Sequence, residues 1–223
     1  MKNTHFLLVA CLGGFLLAAH QADANLILNG DFENNTAGVS QYNLNPTYFA
    51  SYLPNVTEFG TAEEIDLVQG ADFGLAPPSG SWKLGLHTQT TGLFDGFSFS
   101  LSAPIVAGNT YALQFYSVSE TQTPVNGIAG NVLIGLSGSS SAFGTQIFAP
   151  ANAPSLWTLY SITFVAPVNA SYLTVESGAV LGSYNSVDAF NLVLVPEPGA
   201  LAVLLMGGAL ALRRHLPVPS QNR

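Results

Sequence analysis

Apolar and polar residues alternate most cleanly at Phe97-Ser98-Phe99-Ser100-Leu101-Ser102. A period of two marks a half-buried strand, because successive side chains leave a strand on opposite faces. Aromatic and branched residues crowd residues 110–118, 131–136, 157–165, 171–176 and 187–195, a composition that suits a pleated surface. Ala107-Gly108-Asn109 and Ala166-Pro167-Val168-Asn169 separate neighbouring runs and read as turns. Ser137-Gly138-Ser139-Ser140-Ser141 has strand-like runs on both sides and reads as a loop within one domain. Residues 34–78 are less regular and predict long loops. No stretch of ten residues between positions 25 and 195 carries a helical period. The pattern predicts an all-β chain of short antiparallel strands folded as a sandwich.

The two ends follow a different pattern. Met1-Lys2-Asn3-Thr4-His5 is mildly basic, residues 6–19 are largely apolar, and Ala22-Asp23-Ala24 places small residues where a signal peptidase cleaves. This arrangement predicts a signal peptide over 1–24, cut after Ala24. At the other end Val195-Pro196-Glu197-Pro198-Gly199 stops the last strand, since proline lacks a donor and fixes φ. Residues 200–212 are apolar throughout and lead to Arg213-Arg214-His215. With Gly199 that run makes a helix of only about 21 Å at ~1.5 Å per residue. It is short for a hydrocarbon core of roughly 30 Å, so flanking residues must dip in or the bilayer must thin around it. The arginine pair would stay on the cytoplasmic side. Four segments result: 1–24, a β-sandwich ectodomain over 25–194, a sorting segment with a short transmembrane helix over 195–215, and a cytoplasmic tail over 216–223.

Charge narrows the partners. Between positions 25 and 195 there is one basic residue, Lys83, against eleven Asp and Glu, a net charge of −10. Such a surface repels phosphate backbones and excludes nucleic acid as a partner. Cations and neutral ligands such as sugars remain compatible with it. The single cysteine, Cys11, lies in the segment expected to be removed, so neither an internal disulfide nor a cysteine-type zinc site is available to the mature chain.

Pro196-Glu197-Pro198, the apolar run and Arg213-Arg214 in that order resemble the PEP-CTERM sorting signal. The resemblance implies recognition by exosortase, a membrane transpeptidase, and release or transfer to the cell surface or to extracellular polysaccharide. The tail 216–223 is longer than usual for that family. A second resemblance spans most of the ectodomain. Asn25-Leu26-Ile27-Leu28-Asn29-Gly30-Asp31-Phe32-Glu33 is similar to the first strand of carbohydrate-binding-module-like jelly rolls. Residues 107–115, with Gly108-Asn109-Thr110-Tyr111, resemble the Gly-x-Thr-Tyr strand of that family. Trp157-Thr158-Leu159-Tyr160 is similar to its late Trp-x-x-Tyr strand, and residues 187–192, around Asp188, to its last strand. In those modules a structural calcium often joins the first and last strands, and the resemblance implies Glu33 and Asp188 as its carboxylate ligands. Hard Ca²⁺ takes several oxygens, carboxylates and carbonyls among them, so the chemistry is consistent.

Catalytic residues do not assemble from the sequence. His87 is the only histidine in the ectodomain, no Gly-x-Ser-x-Gly elbow is present, and Asp31 with Glu33, a carboxylate pair spaced to share a strand face, coincides with the implied metal motif. The expectation is therefore a non-enzyme. Sugar-binding modules use aromatic rings as platforms, and Trp82, Trp157, Tyr42, Tyr48, Tyr52 and Tyr184 are candidates. Tyr42, Tyr48 and Tyr52 cluster in the loop-like stretch, where binding residues concentrate, and are the chosen ligand-binding set. The preferred reading is an exported, non-catalytic surface protein with affinity for exopolysaccharide. Its rivals are a purely structural or adhesive matrix protein and, further off, a polysaccharide hydrolase.

Overall fold

The computed structural model describes residues 24–121, 127–151 and 153–196. The apolar run at 200–212, Ala22, Glu197, Pro198, Arg213 and Arg214 lie outside the described residues. Among the described residues no helix is long and apolar enough to cross a membrane.

Eleven strands and one short helix follow in order: β1 (Gln41–Leu44), α1 (Pro46–Tyr52), β2 (Val56–Gly60), β3 (Ile65–Gln69), β4 (Trp82–Thr88), β5 (Asp95–Ile105), β6 (Thr110–Ser119), β7 (Val132–Ser137), β8 (Thr145–Phe148), β9 (Thr158–Val165), β10 (Ala170–Ser177) and β11 (Ser183–Leu194). They form an all-β antiparallel sandwich. One sheet has the order β1-β3-β4-β11-β6-β9, the other β2-β5-β10-β7-β8. From β4 onward the chain changes sheet at nearly every connection, so neighbours in space are distant in sequence.

The core forms between the sheets from the inward side of each strand. Phe97 and Phe99 of β5, Phe115 of β6 and Phe190 of β11 are buried there. The Phe115 and Phe190 rings stack at 5.1 Å, and Phe99 meets Phe190 at 5.0 Å. Each such ring contributes about 1.5–3 kcal/mol by leaving water. The alternation that predicted a strand at 97–102 is therefore the core face of β5.

Two expectations change. Residues 34–78 are more ordered than expected: they hold β1, α1, β2 and β3, and the long loop expected there is the one between β3 and β4. The helix α1 starts where Asn45 accepts from the amides of Thr47 and Tyr48, with Pro46 in its first turn, both strong start signals. It buries only Phe49, too little to leave a helical period. The opening segment expected as a strand is mostly irregular. Only Ile27 makes a bridge, to Leu101. The Leu26 amide donates to the Leu192 carbonyl of β11, while the Leu26 carbonyl accepts from Ser102 of β5. This segment thus ties the two sheets together rather than extending one.

At the far end Val195 still donates to Thr110, and Pro196 follows exposed, as a proline stop requires.

Candidate functional site

The opening motif is built residue by residue. Asn29 is buried, and its side-chain amide both donates to the Asn34 carbonyl and accepts from the Asn34 amide, at 3.0 and 3.1 Å. That ring closes a tight turn. Gly30 lies so close to β11 that a Cβ would stand 2.1 Å from the Phe190 carbonyl oxygen, which only glycine permits. Phe32 then drops fully into the core, at a φ of 57°. Glu33 points the other way, to the turn before β4.

There it meets the second residue of the implied calcium pair. Oε1 of Glu33 accepts from the amides of Ser81 and Trp82 at 2.6 and 2.7 Å. Asp188 Oδ2 accepts from Ser79 at 3.0 Å, and Oδ1 from Ala189 at 2.6 Å. Two carboxylates 155 positions apart therefore hold one turn. Gly80, at its centre, has a φ of +58°, and a Cβ there would collide with Glu33. Asp188 sits at a bulge in β11 and is fully buried. Burial pushes its carboxyl up to about 7, the Ser79 and Ala189 amides pull it back, and the charges of Asp31 and Glu33 raise it further. Among the described residues no three His, Cys, Asp or Glu side chains are grouped to hold a metal ion.

The second locus is a hollow of about 230 Å³ on the outer side of the six-stranded sheet. Tyr42 of β1, Phe73 from the β3–β4 loop and Tyr184 of β11 ring it, with Glu64, Asp66 and His87 between them. Tyr42 and Phe73 lie 4.9 Å apart, Phe73 and Tyr184 5.8 Å. The buried Tyr184 ring crosses Gly85, where a Cβ would stand 1.8 Å from its hydroxyl. By crossing β4 it donates to Asp66 Oδ2 on β3 at 2.5 Å. The other Asp66 oxygen accepts from the Asn43 amide at 2.7 Å. Burial raises the Asp66 carboxyl to about 6, against the lowering effect of the Tyr184 and Asn43 bonds. Glu64 accepts from Gln89 at 2.8 Å and stands 3.6 Å from His87 Nδ1. Both oxygens of Asp66 are thus committed, while the outer aromatic, Tyr42, is 42% exposed.

The three expected tyrosines do not form one platform. Tyr42 lines the hollow, whereas Tyr48 and Tyr52 stand on α1, which packs against β2. Tyr48 is exposed and Tyr52 rests partly against the core. Trp82 is a core residue. Trp157 is not: its indole donates to the Ala76 carbonyl at 2.6 Å and pins the β3–β4 loop. Sequence reasoning passed over Asp66, Phe73 and Glu64. The signal was an aspartate inside the otherwise apolar Ile65-Asp66-Leu67-Val68, where only a satisfied partner makes burial tolerable.

No family model matches the chain, and no curated protein matches it. Among solved structures it is similar to a family 16 carbohydrate-binding module, with a TM-score of 0.44 and 15% identity over 76% of this chain and 99% of the other. It is similar also to the xylan-binding module CBM22-1 from Paenibacillus barcinonensis, with a TM-score of 0.44 and 12% identity over 79% and 99%. A third is the enzymatically active domain of tailspike protein 4 of bacteriophage CBA120, with a TM-score of 0.42 and 15% identity over 77% of this chain and 21% of the other.

Proposed function

We propose that this chain is an exported, non-catalytic sandwich that binds a neutral, hydroxyl-rich ligand, such as the end of an exopolysaccharide, in the Tyr42–Phe73–Tyr184 hollow. The observation that carries this reading is the pairing of three aromatic rings with acidic acceptors around one opening. Aromatic faces receive the apolar side of a sugar ring, and the partly exposed Glu64 carboxylate accepts its hydroxyl protons without adding the positive charge a phosphate would seek. At about 230 Å³ the hollow falls below the roughly 300–1,000 Å³ of drug-sized sites, so it suits one ring rather than a long chain segment. A glycan array followed by titration calorimetry tests this. Tyr42→Ala should weaken binding about fivefold or more, a stacking loss of about 1 kcal/mol, without lowering the melting temperature. Tyr48→Ala should leave affinity unchanged. An array with no hits, or equal loss from both variants, would favour the purely structural matrix role.

Export and sorting complete the proposal. Ala22 and Ala24 mark the signal cleavage, and Val195-Pro196-Glu197-Pro198 with Arg213-Arg214 mark the substrate of an exosortase-type enzyme. The protein is membrane-anchored before sorting and then reaches the cell surface or matrix. In cells lacking the sorting enzyme, fractionation should find the chain in the membrane with an N-terminus at Asn25; a cytoplasmic chain starting at Met1 would refute it. Calcium is the proposed structural ion. Glu33 and Asp188 would hold it, and since it takes six to eight oxygens, main-chain carbonyls would complete the set.

A further inference from the structure

The four sheet edges differ sharply. β1 is four residues with a register shift, β8 is four residues with another, and β2 is five residues and packs beside α1. Short strands, bulges, charges and covering helices are the usual ways in which an edge is kept from pairing with another chain. β9 has none of these features. It is eight residues long, pairs with β6 in unbroken register from Thr158 to Val165, and has no neighbour on its other side among the described residues. Its sequence, Thr-Leu-Tyr-Ser-Ile-Thr-Phe-Val, contains no charge and no proline.

The surroundings match. The inward residues of β9, Tyr160, Ile162 and Phe164, are only partly buried against the core, as are Ile147 and Phe148 on the facing sheet. Outward, Leu159 and Val165 are 48% and 63% exposed. This seam of the sandwich is therefore open along its apolar row. Charge is absent here too: no Asp, Glu, Lys, Arg or His occurs at positions 96–119 or 121–175, a span that includes β6 and β9. The net charge of −10 sits elsewhere.

We propose that β9 is a self-association edge: two copies of this chain pair β9 with β9, antiparallel, with Ile162 opposite Ile162 of the second copy. In an antiparallel pair, residues directly opposite share a face. This register sets Tyr160 against Phe164 on the inner face, and Leu159 against Val165 and Ser161 against Thr163 on the outer. Apolar residues meet apolar ones and hydroxyls meet hydroxyls. The six-stranded sheets then join into one of twelve strands, and the partly buried Tyr160, Ile162 and Phe164 are covered further. The acidic regions of both copies stay remote from the contact, so a molecule that repels itself elsewhere can meet itself here.

The test is sedimentation equilibrium of the purified full chain. The wild type should form a dimer that dissociates on dilution. Ser161→Lys/Thr163→Lys places like charges directly opposite across the contact and should yield a monomer; Ser161→Glu/Thr163→Glu should do the same. Both positions are exposed in the single chain, so each variant should keep the wild-type circular dichroism. Mixing the two variants brings opposite charges together and should recover the dimer. A wild type that remains monomeric at its highest soluble concentration, lysine variants as dimeric as the wild type, or a mixture that stays monomeric would each overturn the proposal.

Discussion

Glu58 of β2 is 4% exposed, and among the described residues neither of its carboxylate oxygens has a hydrogen-bond partner. A buried, unpartnered carboxylate is costly when ionised. Burial is the main reason its carboxyl rises to about 8, with the charges of Asp95 and Glu63 adding to it. Asp95 is buried as well, but it is used: its oxygens accept from the amides of Glu64 and His87, tying β5 to β4 and to the residue that precedes β3. Burial lifts it to about 7 despite those bonds. The sign follows from proton binding. Both folded values lie above the unfolded ones of 4.5 and 3.8, so above about pH 4 the folded chain holds protons that the unfolded chain has lost. The stability these two groups contribute is then fully present below about pH 4 and is lost as pH rises through 7 and 8. The melting temperature should be higher at pH 5 than at pH 8. Glu58→Gln should raise it at pH 8, change it little at pH 5, and flatten the profile between. A wild-type profile that rises with pH would show that both groups stay ionised in the fold.

At the scale of elements, the β3–β4 loop is fastened across the outer face of the six-stranded sheet by Lys83. The ammonium, wholly buried, donates to the carbonyls of Phe73 and Leu75 at 2.8 and 2.7 Å and to Glu120 at 3.1 Å. Burial lowers its pKa, while Glu120 beside it works to keep the charge. Lys83→Met would leave the buried Glu120 without its ammonium partner, at a cost of about 3–5 kcal/mol. Lys83→Met with Glu120→Gln should recover a large part, and thermal melting of the three variants checks this. Because Phe73 belongs to the same loop, the single variant should also weaken glycan binding; full affinity would mean the loop is held by other contacts. This fastening explains what the sequence conveyed and what it did not. β5 alternates over 97–102, and β6, β7, β9, β10 and β11 are rich in aromatic and branched residues whose inward side chains form the core, so they were readable. β4 alternates equally well, Trp82-Lys83-Leu84-Gly85-Leu86-His87, yet its polar face is covered by a loop. A lysine, a glycine and a histidine there look like surface or turn residues until that loop is in place. The hollow was hidden for the same reason. Tyr42, Asp66, His87 and Tyr184 come from four strands, and only Gly85 beneath the Tyr184 ring lets them meet.

At the scale of the whole molecule, the sandwich has two unlike sides. The β1 side carries the acidic residues and the hollow; the β9 side is neutral and edge-open. A pair joined at β9 would therefore hold its two hollows at opposite ends of one sheet, an arrangement that gains avidity on a repeating polymer whose spacing matches. The first and last segments of the sandwich are held together independently of that contact. Asn25 accepts from the Leu192 amide at 2.9 Å, Leu26 donates to Leu192, and Glu33 with Asp188 grips the Ser79–Trp82 turn. This separates two contributions that a calcium experiment would otherwise confuse. Any ion that binds only the folded chain stabilises it by RT ln(1 + [L]/Kd), about 2.7 kcal/mol at 100-fold excess over Kd. The amide bonds to the carboxylates act with or without an ion, each bond to a charged group contributing about 1.5–3 kcal/mol when buried and less at the exposed Glu33. Glu33→Gln keeps an acceptor oxygen for Ser81 and Trp82 but removes the charge an ion needs, whereas Glu33→Ala removes both. The wild type should melt higher in millimolar calcium than in chelator. Glu33→Gln should abolish that difference with little change in chelator, and Glu33→Ala should lower the melting temperature in both. A wild type indifferent to calcium, with Glu33→Ala still destabilised, would leave the two carboxylates as clamps for the turn and remove the ion from the account.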